Sequence, residues 1–230
     1  MDLAYVVGKG DSQKHNELRF SVRSAEKYLK FDRLFLIGYK PTFFNDKAIH
    51  TFVPDDQGHK YKNVAKKIRI LLNDERISDD FIFMNDDFFI LKEYEEIPYY
   101  YNKTIKEWIN DYPTRKGRYY GQIEGLYKVF PEGKFFEAHF PIVYNKRMAR
   151  AVMEKYQLKL TLMLRSFYCN EYIDRIKPEE SRDHKIYNSD KIESTFKSTP
   201  FVSSTNAIAT NSIFKNILLT RFPKKSQYEK

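Results

Sequence analysis

The chain has 230 residues, 42% of them hydrophobic and 31% charged, with a net charge of +9. That apolar content supports a packed core and excludes wholesale disorder. The single cysteine, Cys169, excludes an internal disulfide and any cysteine-built zinc site, and no run approaches the ~18 apolar residues of a membrane helix, so no membrane insertion is expected.

In the opening MDLAYVVGKGDSQKH, no basic stretch precedes the apolar run, which is too short for a signal peptide; a soluble cytoplasmic protein is expected. LAYVV (3–7) reads as a buried strand that meets the GKGDSQ loop. Asn16 is suited to cap a helix from Glu17 to about Leu29, with Leu18, Val22, Ala25 and Leu29 at helical spacing. RLFLIG (33–38) is a second strand, ended by Gly38 and Pro41, and AIHTFV (48–53) a third. After the polar PDDQGHKYK loop, NVAKKIRILLND (63–74) predicts an amphipathic helix. DFIFM (80–84) is a fourth strand and delivers Asp86 and Asp87 at its C-terminal end.

This alternation predicts an α/β domain with a mainly parallel central sheet. Ligands of such sheets bind beyond the carboxyl ends of the strands, where Gly8, Gly10, the HKYK loop and the acid pair lie. The second part is less regular. RYYGQIEGLYKVF and KFFEAHFPIVY read as long aromatic strands or a hairpin, split by PEGK. Helices are expected at 145–156 and 160–173, a mobile polar loop at 174–199, a strand at 201–205 and a last helix at 206–219. Cys169, in helix-like LMLRSFYCNEY, reads as a buried thiol.

The chemistry-bearing residues follow from cost. An ionised carboxylate is expensive to bury unless paired or metal-bound, and two adjacent ones repel. Asp86 and Asp87, enclosed by FIFM and FFI, therefore point to a hard divalent cation, Mg²⁺ or Mn²⁺; Asn-Asp-Asp is also good turn chemistry. Arg19 and Arg23, at i and i+4, share a helix face suited to gripping phosphate, or form a solvated charged face. The GKG loop lacks a dinucleotide fingerprint and reads only as backbone that can approach a ligand closely. His139 in EAHFP is a candidate general base or a structural histidine. Arg165, embedded in apolar residues, needs an anionic partner, either a protein carboxylate or a ligand phosphate.

These residues carry a resemblance. NELRFSVRSAEKYLKFDRLFLIG, YKNVAKKIRILL and ISDDFIFMNDDFFI together resemble the second conserved region of the Stealth-type sugar-phosphotransferases. MDLAYVVGKGD is similar to a degenerate first region, and EAHFPIVYNKRM through LMLRSFYCNEY to the third. The likeness extends to small virus-encoded glycosyltransferases and covers roughly residues 1–92 and 137–172. It implies a nucleotide-diphospho-sugar transferase (GT-A-like) fold. Asn16, Glu17, Arg19, Arg23, Asn63, Asn85, Asp86, Asp87, His139 and Arg165 match motif positions. Lys9 stands where the family's first-region acid is expected, and HKYKN replaces its LPTFNS loop.

The expectation is a single GT-A-like domain with a nucleotide-sugar-binding half (1–92) and an acceptor-binding half (93–230). It would move a sugar from a nucleotide-sugar, a UDP-sugar, to a hydroxyl. Asp87 with Asp86 would hold Mn²⁺ or Mg²⁺. Gly8, Lys9, Gly10, Asp11, Arg19, Arg23, Lys62, Asn63 and Asn85 would line the donor site, and His139, Asp86 and Arg165 would serve catalysis. The positive charge and the virus-like resemblance suggest a hydroxymethylated DNA base as acceptor in a host cytoplasm, met by Tyr99, Tyr100, Tyr101, Lys60 and Lys62; otherwise the acceptor is a glycan. Two alternatives stay open: hexose-1-phosphate transfer to a capsule or other glycan, and a non-enzymatic nucleic-acid-binding domain.

Overall fold

The computed structural model describes residues 1–10, 16–56, 58–114, 116–159 and 163–230. Its centre is β1 (Asp2–Val7), in which Leu3, Ala4, Tyr5 and Val7 are wholly buried. A strand covered on both faces has no reason to alternate apolar with polar, so it reads as a continuous apolar run. The same holds for β2 (Leu34–Gly38) and β4 (Asp80–Met84), which flank β1 in parallel. β3 (Ile49–Phe52) adds a parallel edge beside β2, and β7 (Ile142–Asn145) an antiparallel edge beside β4. The order is β3-β2-β1-β4-β7.

Helices cover both faces. α1 (Asn16–Tyr28) lays Leu18, Val22 and Ala25 against Leu3, Tyr5, Leu36 and Met84. The opposite face carries α2 (Lys60–Asn73), whose Ile68, Leu71 and Leu72 meet Ala4, Phe35 and Phe83. Gly38 ends β2 with φ +123°; a Cβ there would lie 2.0 Å from the Val7 carbonyl oxygen, so only glycine fits.

β4 is followed by a tight turn and β5 (Phe88–Ile90). β6 (Tyr99–Tyr101), α3 (Ile105–Asp111) and α4 (Arg118–Val129) come next, then α5 (Lys146–Lys155) and α6 (Leu164–Glu171) after β7. The C-terminal part holds β8 (Pro178–Glu180), β9 (Lys185–Ile186), α7 (Ile192–Ser198), β10 (Phe201–Ser204), α8 (Asn206–Ala209) and α9 (Ser212–Arg221). β10 pairs antiparallel with β5 and parallel with β9, and β6 pairs with β8. Pairing therefore crosses position 92 in both larger sheets.

Five expectations are corrected. RYYGQIEGLYKVF is helix α4, because Ile123 and Leu126, three apart, are the positions that meet the core; its aromatic content suggested strand. Of KFFEAHFPIVY only β7 is strand. The 174–199 stretch is built into the fold by β8, β9 and α7, with Ile186, Ile192 and Phe196 buried. The last helix breaks at Asn211, whose side chain caps α9. Asn16 is a helical residue of α1 rather than its cap. Cys169 is buried, as expected.

Candidate active site

The central strands end at one edge of the sheet, and a cleft of about 440 Å³ opens there. Val6, Phe83, Val64, Ile68 and Leu164 give it apolar walls. Into it project Glu17 from α1, Asn85, Asp86 and Asp87 from the turn after β4, His139 and Glu137 from the approach to β7, Arg165 from α6 and Asn206 from α8. Lys60, Tyr61 and Tyr119 complete its lining.

The electrostatics are those of a site short of positive charge among its acids. Burial, then the adjacent charge of Asp87, pushes Asp86 up to about 6. Burial raises Glu17 to about 7; the hydrogen bond from Ser204 Oγ (2.9 Å) opposes this, while Asp86 and Asp87 add to it. Burial likewise raises Glu137 to about 7 against the attraction of Arg165. Glu137 also accepts from the Ser166 backbone N–H (3.0 Å), in the first turn of α6.

A polar chain crosses the cleft wall. His139 Nδ1–H donates to Asp183 Oδ2 at 2.6 Å, which leaves the Nε2 lone pair to accept from Lys185 Nζ at 3.1 Å. Lys185 Nζ lies 3.6 Å from Asp87 Oδ2. Arg165 donates through Nη1 to the Ala138 and Phe140 carbonyls, while its buried Nη2 has no hydrogen-bond partner among the described residues. Sequence reasoning missed Asp183 and Lys185. They lie on the β8–β9 segment read as a loop, and only the β9–β10 pairing carries them to the cleft.

Asn85, Asp86, Asp87, His139 and Arg165 thus come together at this cleft. Other candidates do not. Arg23 is turned away from the cleft: its Nε and Nη2 donate to Glu229 at 2.5 and 2.8 Å and its Nη1 to Phe222 O. Arg19 shares Glu229 at 3.6 Å and lies over the Phe43 ring. Both hold the C-terminal segment, because α1 presents that helix face to it. Asn63 binds the Asp56 backbone on both sides, and Lys62 is exposed outside the lining, where Lys60 sits instead. Gly8, Lys9 and Gly10 lie outside the lining: Lys9 N–H donates to Asp55 (2.7 Å), which pairs with the buried Lys67. Asp11 falls outside the described residues. Tyr99, Tyr100 and Tyr101 are spent on packing: Tyr99 donates to Val143 O, Tyr100 stacks on Phe201 and Tyr101 meets Phe136 edge-on.

Among the described residues no group of three or more His, Cys, Asp or Glu side chains converges as a metal site. The acid pair offers hard oxygen donors of the kind Mg²⁺ and Mn²⁺ take, and the raised Asp86 is what a carboxylate wanting a cation looks like. The residues fit a divalent ion that draws its remaining ligands from substrate and water. Among the described residues no helix is long and apolar enough to cross a membrane.

No family model and no curated protein matches the chain. Among solved structures it is similar to the galactosyltransferase LgtC in complex with donor and acceptor sugar analogues, with a TM-score of 0.53 and 8% identity over 99% of this chain and 98% of that one. An active-site mutant of LgtC matches with the same TM-score, 0.53, and the same coverage. The likeness is one of fold, a GT-A-type α/β arrangement around a central, mostly parallel sheet.

Proposed function

We propose that the protein is a metal-dependent glycosyltransferase that moves a sugar from a nucleotide-sugar, a UDP-sugar, to an acceptor hydroxyl. The observation that carries this is the Asp86–Asp87 pair at the C-terminal end of β4, facing the cleft beside Arg165. The fold supports the same reading, since LgtC, of like fold, is a galactosyltransferase seen with donor and acceptor sugar analogues. On this reading the donor rests mainly on the first half of the chain, joined at its diphosphate by Arg165 and Lys185 from the second.

Asp87, with Asp86, would hold Mn²⁺ or Mg²⁺ against the donor diphosphate. Bound there, the ion would neutralise the leaving group as the anomeric bond breaks. The unpartnered Nη2 of Arg165 would take a phosphate oxygen, a charge-assisted bond suited to a guanidinium. His139, fixed by Asp183, would hold Lys185 against the same diphosphate. Its Nε2 is engaged by Lys185, which supports that role over general base. The packing contacts of Tyr99, Tyr100 and Tyr101 support a glycan acceptor over a flipped DNA base.

The test is UDP-sugar hydrolysis and transfer, with and without EDTA, in the wild type and Asp87→Ala. Activity should fall at least about 100-fold in both cases; full activity in metal-free Asp87→Ala protein would sink the metal role. Product mass separates sugar transfer from hexose-1-phosphate transfer, whose product gains a phosphate.

A further inference from the structure

The mouth of the cleft carries a second set of groups that the donor chemistry does not use. Lys60 and Tyr61 open α2, and Tyr119 follows Arg118 at the start of α4. Lys60, Tyr61 and Tyr119 line the cleft, and Tyr119 stays 39% exposed at its edge. Tyr61 and Tyr119 line the same cleft, so the two helix starts border it together, and Tyr119 is within electrostatic reach of Tyr61, Glu137 and Asp183. Lys62 and Arg118 lie just outside the lining, next in sequence to Tyr61 and Tyr119, and with Lys60 they act on His59, whose imidazole is held below the ordinary value by lost hydration and then by these three charges. All three cations are exposed.

The neighbouring acids do not answer these charges. Asp55 is paired with Lys67, Asp56 with Lys66 and Asp183 with His139. Glu137, in the cleft, accepts from the Ser166 N–H and is drawn to Arg165. Among the described residues no acid forms an ion pair with Lys60, Lys62 or Arg118. Three uncompensated cations beside two tyrosines make a rim suited to an anion carried on a ring. A pyranose can lay its C–H face on tyrosine while its carboxylate or phosphate meets the lysines and arginine.

We infer that the rim formed by Lys60, Lys62, Arg118, Tyr61 and Tyr119 is an acceptor subsite for an anionic saccharide, one bearing a carboxylate or phosphate near the accepting hydroxyl. This rests on the glycosyltransferase reading and narrows its acceptor class. An anionic saccharide fits better than nucleic acid. The cations stand at two helix starts beside one cleft, whereas a strand of nucleic acid needs a basic track along several phosphates.

The experiment compares binding of lactose, sialyllactose and lactose 6-phosphate by titration calorimetry in the presence of UDP and Mn²⁺, at ~50 and ~200 mM salt. A charged trisaccharide or disaccharide should bind roughly tenfold tighter than lactose, a difference of about 1.4 kcal/mol. Which of the two is preferred assigns the anion as carboxylate or phosphate. Lys60→Ala/Arg118→Ala should erase the preference, and Lys62→Glu/Arg118→Glu should turn it into discrimination against charge. Equal affinity for lactose and both charged sugars, or a preference untouched by these exposed substitutions, would overturn the inference. Tighter binding of a hydroxymethylcytosine-containing duplex than of either charged sugar would also overturn it, in favour of nucleic acid. Metal-dependent UDP-sugar hydrolysis by the wild type, measured without acceptor, reports on the underlying reading separately.

Discussion

At the scale of single residues, the same type of side chain divides into two fates. Arg165 keeps a buried donor facing the cleft, whereas Arg23 spends its guanidinium on Glu229. The side chains of Arg23 and Glu229 are 9% and 3% exposed, so the pair is buried and its break is costly. Burial would raise Glu229, but the hydrogen bonds from Arg23 and the Ser226 N–H outweigh it and hold the carboxyl low. Arg23→Ala should therefore cost about 3–5 kcal/mol, the usual cost of orphaning a buried charge. Urea denaturation checks this, and a loss under ~1 kcal/mol would mean that water reaches Glu229.

Glu17 provides the pH counterpart. Its folded pKa of about 7 exceeds the ordinary 4.5, so the folded state favours the protonated form. The sign follows: the contribution is full below about 4.5 and is lost as pH rises through about 7. Metal-free protein should lose thermal stability across that window, with Asp86, raised to about 6, acting in the same direction. Glu17→Gln should flatten the slope of Tm against pH. An unchanged slope would assign the pH dependence to Asp86 and Glu137.

At the scale of elements, apolar spacing was the reliable guide and aromatic content the misleading one. β1, β2 and β4 were legible because a strand buried on both faces must be apolar throughout. α1 and α2 were legible because their buried positions recur at helical spacing. α4 was missed: its Tyr119, Tyr120 and Tyr127 suggest strand, while the anchoring role of Ile123 and Leu126 appears only once the core is assembled. Ile123, wholly buried, holds this helix to the sheet layer. Ile123→Ala should destabilise by about 2–5 kcal/mol in chemical denaturation. A smaller loss would show that α4 docks through its tyrosines instead.

At the scale of the whole molecule, the site is assembled from segments far apart in the chain. Glu17, Asp86, His139, Arg165 and Asn206 come from five different elements or turns and share one cleft. What carries the later ones there is pairing across the chain: β7 onto β4, and β9 with β10 onto β5. The acid pair was legible because buried carboxylates are conspicuous in an apolar run, and its place at a strand end followed from the α/β alternation. The partners of that pair were not. Lys185 and Asp183 sit in a polar stretch whose composition resembles any solvated loop, and two short strands alone bring them to His139.

The sequence by itself determined the α/β class, the central strands and the acids at the end of β4, because hydrophobic burial and the cost of buried charge act on local composition. Only the tertiary structure decided which cations face those acids. It turned Arg19 and Arg23 to the C-terminal segment and brought Lys185 to Asp87 and His139. An arginine or lysine is equally satisfied by any carboxylate within reach, and reach is set by packing between segments that the chain keeps far apart.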